Sequence, residues 1–287
     1  MKWENMTPKA LAEARDATDG VCVIPLGCLE RHGNHMPVGT DILCAMRILE
    51  RASEIEPFVI FPFMPFGAIG GAKHLLGTIA LSGELLQKLL LEIFDEVARN
   101  GFRKIVLANG HGGNSALVSY LELQVIPEKK RGYVLYTLPK FGMFGMTDAD
   151  RRYIREHFGT ACCENHGAEV ETSLTMACAP GTVRLGEECG EQTGKRGMTD
   201  NLKAADVRSE FWWFADYPGN YTETPDGANL AEGEWLLETF AQRAAVSIRA
   251  VKEDRSAPKL LEYYNRFIDA PMPEPPAGDL RLQAQDR

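Results

Sequence analysis

Short apolar runs alternating with longer amphipathic segments are the dominant pattern along this chain. Four runs stand out, at residues 21–26, 58–63, 104–108 and 133–138. Runs of this length and composition are typical of buried strands. The pattern therefore predicts four strands separated by helical segments.

The clearest helical segment follows Ser82, which is a suitable N-cap residue. Between residues 84 and 100 the apolar side chains recur at helical spacing and form one stripe. Gly101 then ends the segment. Further helices are predicted at residues 42–55, 114–125, 148–157, 169–177 and 231–251.

The order of these segments predicts the fold class. Alternating strands and helices favour an α/β fold with a mainly parallel sheet. Sheets of this kind carry their sites at the C-terminal ends of the strands. Because the sequence contains no repeat and no low-complexity linker, we expect a single domain over residues 1–269, followed by a proline-rich tail at 270–287.

Composition narrows the classes of function. The 287 residues are 45% hydrophobic and 25% charged, as in ordinary globular proteins. A formal net charge of −9 argues against a nucleic-acid partner, which would need clustered Lys and Arg. No apolar run is long enough to span a membrane. The seven cysteines form no CxxC pair and are best explained as free thiols in a reducing compartment, so we expect a cytoplasmic protein.

The first group of chemically informative residues follows the first predicted strand. Glu30 and His32 lie in the strand-to-helix loop, and Asp41 begins the next helix. A carboxylate, an imidazole and a second carboxylate suit Zn²⁺, Mn²⁺ or Fe²⁺. The alternative for this segment alone is a set of turn and cap residues.

Two further groups contain a histidine. His111 lies among glycines after the third predicted strand, where the backbone can approach a ligand closely. His166 precedes Glu169 and Glu171 at the start of a predicted helix, where capping is the alternative for one of the two carboxylates. Three groups with histidine, two of them with carboxylates, together favour a metal site.

These segments resemble the signatures of the creatininase (creatinine amidohydrolase) family. Residues 30–41 are similar to E-Q-H-G-x-H-x-P-x-x-x-D, residues 109–114 read N-G-H-G-G-N, and residues 166–173 are similar to H-x-G-x-x-E-T-S. The resemblance spans about residues 20–180 in the family's order. It implies a three-layer α/β/α sandwich with a mainly parallel sheet, two divalent ions (Zn²⁺, Mn²⁺ or Fe²⁺) and a homo-oligomer, commonly a hexamer.

The resemblance also implies roles for individual residues. Glu30, Asp41 and His111 would bind one ion, while His32 and a bridging Asp41 would bind the other. Some members supply a further ligand two residues after the equivalent of His111, where this chain has Gly113. A carboxylate of the third motif would then complete the second ion's site and contribute to catalysis. Glu171 is our first choice for it and Glu169 our second, and His166 matches the general acid/base.

The expected reaction is hydrolysis of a non-peptide C–N bond in a small cyclic amide or amidine by a metal-activated water. A deformylase or amidase acting on a formamide-bearing, nucleotide-like intermediate is one alternative, with Arg31 and Lys140 as phosphate contacts. A metal-binding assembly subunit without turnover is another.

The tryptophan positions bear on the substrate. Creatinine-specific members carry tryptophans over the pocket, at places where this chain has residues 136–144 and 161–163 and no Trp. We therefore expect creatinine itself to be a poor substrate. Residues 141–146 are predicted to form a replacement lid or a subunit contact, and the aromatic cluster at 211–214 to lie in the core or in an interface.

Overall fold

A sheet of four parallel strands lies at the centre of the described residues. The structure is a computed structural model that describes residues 1–188 and 195–270. The strands are β1 (Val21–Leu26), β2 (Val59–Ile60), β3 (Lys104–Asn109) and β4 (Val134–Thr137). Their order is β2-β1-β3-β4, and every pairing is parallel, as predicted.

Helices connect and cover the strands. They are α1 (Pro8–Ala17), α2 (Thr40–Ile55), α3 (Gly83–Arg99), α4 (Ser115–Tyr120), α5 (Asp148–His157), α6 (Glu169–Cys178), α7 (Asp200–Ala204), α8 (Trp212–Asp216), α9 (Leu230–Glu253) and α10 (Ser256–Phe267). Short 3-10 turns lie at Trp3–Asn5, Gly70–Ala72, Gly112–Asn114 and Gly142–Gly145, and a π-helical turn lies at Leu121–Val125. Apart from Ala270, the predicted proline-rich tail lies outside the described residues.

Strand alternation divides the interior into two cores. Along β1, Val21 and Val23 face one hydrophobic core, while Cys22 and Ile24 face the other. The first core is completed by α2, α6 and α9, and the second by α3 and the π-helical turn. Because both faces of the sheet are covered by helices, the fold is the predicted α/β sandwich with a mainly parallel sheet.

Some elements differ from the sequence prediction. The second strand is shorter than predicted because Pro62 lacks an N–H group and interrupts the ladder, although the Phe61 N–H still donates to the Val23 carbonyl at 2.9 Å. Helices α1, α7, α8 and α10 were not predicted. Among the described residues, no helix has the length and apolar character needed to cross a membrane.

The register of the sheet brings two loops to one place. Leu26 at the end of β1 pairs with Asn109 at the end of β3. The segments that follow these two strands therefore leave the sheet side by side at its C-terminal edge. These are the segments that carry Glu30, His32 and His111.

Candidate metal centre

Two imidazoles and three carboxylates meet at this edge of the sheet. Glu30 and His32 lie in the loop after β1, and His111 follows β3 directly. Asp41 is in the first turn of α2 and Glu171 in the first turn of α6, where the helix dipole favours a negative charge. The structure thus brings together five of the residues singled out in the sequence.

The first group forms around His111. Its Nδ1 lies 2.9 Å from Asp41 Oδ2 and 3.2 Å from Glu30 Oε2. Its Nε2 lies 3.2 Å from the Ala68 carbonyl oxygen, which can only accept a hydrogen bond. With the proton on Nε2, the Nδ1 lone pair faces the two carboxylates, which is the usual arrangement of a metal-binding histidine.

The second group forms around His32. Its Nε2 lies 3.6 Å from Asp41 Oδ1 and 3.5 Å from Glu171 Oε1. Its Nδ1 lies 3.1 Å from the Glu30 carbonyl oxygen, so this nitrogen carries the proton. His32 is completely buried, and its Nε2 has no hydrogen-bond partner.

The donor atoms fit divalent cations. A buried imidazole lone pair that faces carboxylates at 3.5 Å is unfavourable unless a proton or a metal cation lies between them. The two oxygens of Asp41 face different groups, Oδ2 the one around His111 and Oδ1 the one around His32. Mixed imidazole and carboxylate donors suit Zn²⁺ and Mn²⁺. The geometry therefore fits two ions that share Asp41.

The carboxylates also set the protonation of the histidines. Burial disfavours the charge on His111, but the Asp41 and Glu30 carboxylates outweigh it and raise its pKa to about 10. Burial likewise opposes ionisation of Glu30, yet the His166 and His111 imidazoles lower its pKa to about 2. Protons and metal cations therefore compete for the same positions.

His166 lies beside the second group. Its ring stacks on His32 with centroids 4.1 Å apart, and its Nε2 is 3.6 Å from Glu30 Oε1. The loop that carries it turns at Gly167, which has a φ of +70° and donates its N–H to Glu171 Oε2 at 2.6 Å. His35 supports the same turn, because its Nε2 lies 3.0 Å from the Gly167 carbonyl.

Glu169 lies apart from this cluster. It is completely buried beside Glu232 in α9, where the Cys163 N–H donates to its Oε2 at 3.4 Å. Residues 169 and 171 project in different directions from the first turn of α6. Of the two alternatives for the third carboxylate, the structure brings Glu171, and not Glu169, to His32 and Asp41.

The loop after β3 explains why position 113 is glycine. A Cβ atom there would lie 2.3 Å from the Ala68 carbonyl oxygen and 2.5 Å from His111 Nε2. Asn114 holds the same loop, because its Oδ1 accepts from the Ala68 N–H at 2.7 Å. The backbone is packed too closely here for a ligand-bearing side chain, whereas the Glu171 Oε1 atom lies 3.5 Å from His32 Nε2.

Three residues of the site were missed by the sequence analysis. Cys28 Sγ lies 2.9 Å from Asp41 Oδ2. Asn220 Nδ2 donates to Glu30 Oε1 at 2.9 Å and lies 3.2 Å from His166 Nε2, while Trp213 packs edge-on against His166. Cys28 was detectable from its position two residues before Glu30. Trp213 and Asn220 lie about 50 residues beyond His166 in the chain, and no local sequence pattern marks them as site residues.

A cavity of about 680 Å³ opens onto the cluster. Trp212 and Trp213 line it, so these two residues of the aromatic cluster do not lie in the core, while an interface position stays a prediction. They were misassigned because α8 reaches the site only through tertiary packing. Phe141 and residues 142–144 of the 3-10 turn Gly142–Gly145 also line the cavity, at the position of the predicted lid.

The charged groups of the cavity are acidic. Beyond the cluster, Glu164, which is ion-paired with Arg151, and Glu210 line the cavity, and among the described lining residues none is Lys or Arg. Arg31 is turned toward the Gly33 carbonyl and Asn34, and neither Arg31 nor Lys140 belongs to the lining. The two cations expected to contact a phosphate therefore do not face the cavity.

Comparison with known proteins supports the family resemblance seen in the three sequence motifs. The family model described as Creatininase, creatinine amidohydrolase, matches residues 4–248. The creatinine amidohydrolase of Pseudomonas putida is 28% identical over 247 residues, 83% of this chain and 92% of that protein. The mycofactocin precursor peptide peptidase of Mycolicibacterium smegmatis is 26% identical over 246 residues, 82% of this chain and 86% of that protein.

Solved structures show the same fold. A mutant creatininase of Zn-Zn type has a TM-score of 0.70 and 25% identity, covering 88% of this chain and 98% of that one. A manganese creatininase has a TM-score of 0.66 and 26% identity, covering 88% of this chain and 99% of that one. Zinc and manganese are thus the metals of these structural relatives.

Proposed function

Because this chain belongs to the creatininase family, whose members are metal-dependent amidohydrolases, we propose that it hydrolyses the C–N bond of a small amide or amidine at the Asp41-centred cluster. The observation that carries this proposal is the pair of imidazole–carboxylate groups sharing Asp41. In each group one ring nitrogen is held by a backbone carbonyl and the other faces carboxylates. This is how ligands are preorganised for a divalent ion.

The residues around the cluster have different roles in the proposed hydrolysis. Divalent ions bound here would lower the pKa of a bound water molecule and polarise the group whose C–N bond is cleaved. His166 lines the cavity beside that position and is a candidate to accept the proton and pass it to the leaving nitrogen, which departs poorly unless protonated. Asn220 and Trp213 hold its ring in place.

The cavity favours an uncharged or cationic substrate. Its described lining contains carboxylates and aromatic rings and lacks Lys and Arg, which phosphate recognition ordinarily uses. This argues against the formamide-bearing, nucleotide-like alternative. The aromatic walls suit a flat ring, so we favour a small cyclic amide or amidine. Trp212 and Trp213 also supply the tryptophan surface whose absence had made creatinine a poor candidate.

A peptide bond is a second candidate. A volume of about 680 Å³ exceeds what one small ring fills and suits a larger, extended ligand. The mycobacterial relative is named as a precursor peptide peptidase. On this proposal the end of a peptide enters between α8 and the Gly142–Gly145 turn, and its scissile carbonyl reaches the cluster.

We also propose two divalent ions per chain, zinc or manganese, and a cytoplasmic homo-oligomer such as a hexamer. The two groups of donor atoms that share Asp41 support two ions per chain. The metals follow those of the structural relatives. Mass measurement in solution by light scattering tests the oligomer independently of activity.

The proposal is tested on protein purified without chelator. Metal content is measured by mass spectrometry, and turnover is assayed on creatinine, other cyclic amides and amidines, formamides and short peptides. We expect about two ions per chain, as in other two-metal hydrolases, and turnover that disappears on chelation and returns with Zn²⁺ or Mn²⁺.

Matched variants assign the second ion. Glu171→Gln is expected to lower the content to about one ion, while Glu169→Gln, on the same helical turn, retains about two. Failure of the wild type to take up any divalent ion would overturn the proposed function. Two ions without turnover of any compound in the panel would favour the non-catalytic alternative.

A further inference from the structure

Cys28 brings a fourth donor atom to the group around His111. Its Sγ lies 2.9 Å from Asp41 Oδ2 and 3.6 Å from Glu30 Oε2. The same two oxygens lie 2.9 and 3.2 Å from His111 Nδ1. The four donor atoms all lie within 4.8 Å of one another. This group has one sulfur, two oxygen atoms and one nitrogen.

The spacing of these atoms is compatible with a tetrahedral site. With Zn–S and Zn–O or Zn–N distances of roughly 2.3 and 2.0 Å, neighbouring ligand atoms lie roughly 3.3–3.5 Å apart. Four of the six separations among these atoms are 2.9–3.6 Å and lie around that value. A thiol that only donated a hydrogen bond would need one acceptor, whereas Sγ lies near oxygens of two different carboxylates.

Cys28 approaches the ion position from the protein side. Glu30, Asp41 and His111 line the cavity, while Cys28 is completely buried and does not line it. A sulfur ligand on this side leaves the cavity side of the ion accessible to water and substrate. With four protein ligands in place, water or substrate entering from the cavity would be a fifth ligand, a coordination number that catalytic zinc can reach.

The group around His32 differs in its donors. His32, Asp41 and Glu171 offer one nitrogen and carboxylate oxygens, without sulfur. Thiolate ligands favour zinc, whereas oxygen-rich sites accept manganese readily. The two positions that share Asp41 are therefore chemically unequal.

We propose that the Cys28 thiolate is a direct ligand of the ion held by Glu30, Asp41 and His111, and that it makes this position selective for zinc over manganese. On binding, the S–H bond releases its proton to solvent and a sulfur lone pair forms the bond to the ion. The inference rests on the metal site proposed above and goes beyond it by assigning a ligand and a metal preference.

Cobalt provides a direct readout of the sulfur bond. The metal-free full-length protein is titrated with Co²⁺ and its absorption spectrum recorded. We expect a thiolate-to-cobalt charge-transfer band in the near ultraviolet for the wild type, and its loss in Cys28→Ser. Cys22→Ser is the matched control, because Cys22 is an equally buried thiol of the preceding strand that contacts no cluster residue, and it should keep the band.

Metal competition provides the second readout. Zn²⁺ and Mn²⁺ affinities are measured by competition with a chromophoric chelator, with circular dichroism to show that each variant is folded. Loss of a partner beyond the direct ligands typically costs 10–100-fold in affinity, so loss of the sulfur should weaken Zn²⁺ binding at this position by at least about tenfold. Mn²⁺ binding should change less.

The outcomes separate this inference from the proposed function. Wild-type protein that binds Co²⁺ without a charge-transfer band, or Cys28→Ser with unchanged Zn²⁺ affinity, overturns the ligand role and leaves the proposed function intact. Such a result would assign Cys28 as a hydrogen-bond donor to Asp41, a role that serine can fill. Wild-type protein that binds no divalent ion overturns the proposed function itself.

Discussion

At the scale of single residues, Asn220 links three functional groups. Its Oδ1 accepts the Trp213 Nε1–H at 2.5 Å. Since the indole N–H can only donate, Oδ1 must face Trp213 and the amide nitrogen must face the cluster. There Nδ2 donates to Glu30 Oε1 and lies 3.2 Å from His166 Nε2. Asn220 therefore fixes a predicted ligand and the predicted proton carrier relative to one another.

Removing this link is expected to slow turnover more than it weakens binding. We predict that Asn220→Ala lowers kcat by about 10–100-fold, as is usual for groups that orient metal ligands, with a smaller change in KM. Trp213→Phe keeps the ring against His166 but removes the N–H donor, so its effect should be intermediate. Steady-state kinetics on the best compound of the amide panel, together with metal content, checks this. A fall in kcat/KM that comes only from a higher KM, with kcat unchanged, would contradict this prediction.

The residues that form the cluster were predictable because each stands beside a local pattern. Glu30, His32 and His111 follow apolar runs, and strands of a parallel sheet end at a common edge. Asn220 and Trp213 were not predictable from the sequence. They reach the site by tertiary packing from a segment with weak periodicity, and nothing local to α8 distinguishes a cavity wall from a core.

At the scale of elements, the loop from β3 to α4 fixes the position of the His111 ring. Gly113→Ala is expected to displace this ring, because the added Cβ would collide with His111 Nε2 and the Ala68 carbonyl. Gly112→Ala is the matched control, since a Cβ there meets only the edge of Phe144 at 4.0 Å. We predict that the first variant loses the ion bound by His111 and that the second retains it. Metal content measures this, and full loading of Gly113→Ala would contradict it.

The start of α6 shows why two neighbouring carboxylates have different roles. Glu171 faces His32, whereas Glu169 packs on Glu232 of α9. The sequence could not separate them, because both lie in one helical turn and both are favoured by the helix dipole. Burial, together with the charge of Glu169, raises the pKa of Glu232 to about 8. This buried pair therefore holds one proton at neutral pH.

The Glu169–Glu232 pair makes the free energy of unfolding depend on pH. An unfolded chain releases the Glu232 proton near its ordinary pKa of 4.5, whereas the folded chain keeps it up to about pH 8. The unfolded state thus binds fewer protons in this window, and stability decreases as pH rises through it. Glu232→Gln removes this dependence, because its amide can donate to Glu169 at any pH. We predict a higher Tm for the variant than for the wild type, with a difference that grows from pH 5 to pH 8.

Thermal unfolding in this pH range provides the measurement. Glu234→Gln serves as the control, since Glu234 is exposed on the same helix. It should leave the pH dependence as in the wild type. A Glu232→Gln curve parallel to the wild-type curve would show that the two carboxyls do not share a proton.

At the scale of the whole molecule, the sheet order determines where the chemistry lies. The central strands β1 and β3 are neighbours, so their C-terminal loops meet, and α2 and α6 add their N-terminal turns from one face. The alternating pattern was enough to predict this layered arrangement. It was not enough to predict the cavity, whose outer wall comes from α8, a five-residue helix without a pattern of its own.

The charge of the cavity gives a prediction about substrate selection. The chain carries a net charge of −9, and the described lining contains Glu210 and the Arg151-paired Glu164 but no Lys or Arg. We expect an anionic amide to have a lower kcat/KM than a neutral amide of the same shape. Glu210→Lys should reduce this discrimination, because it reverses the charge at the rim, whereas Glu234→Lys changes the net charge equally but lies outside the lining.

Varying the ionic strength distinguishes the effect of a charge at the cavity rim from the effect of the net charge of the protein. Screening is nearly complete beyond about 10 Å at 0.1 M salt, so a charge outside the cavity should have little effect there, while one at the rim still acts on a bound substrate. We therefore expect the Glu210→Lys effect to persist at 0.1 M salt and the Glu234→Lys effect to vanish. Equal effects of both variants would mean that net charge, and not the lining of this cavity, selects the substrate.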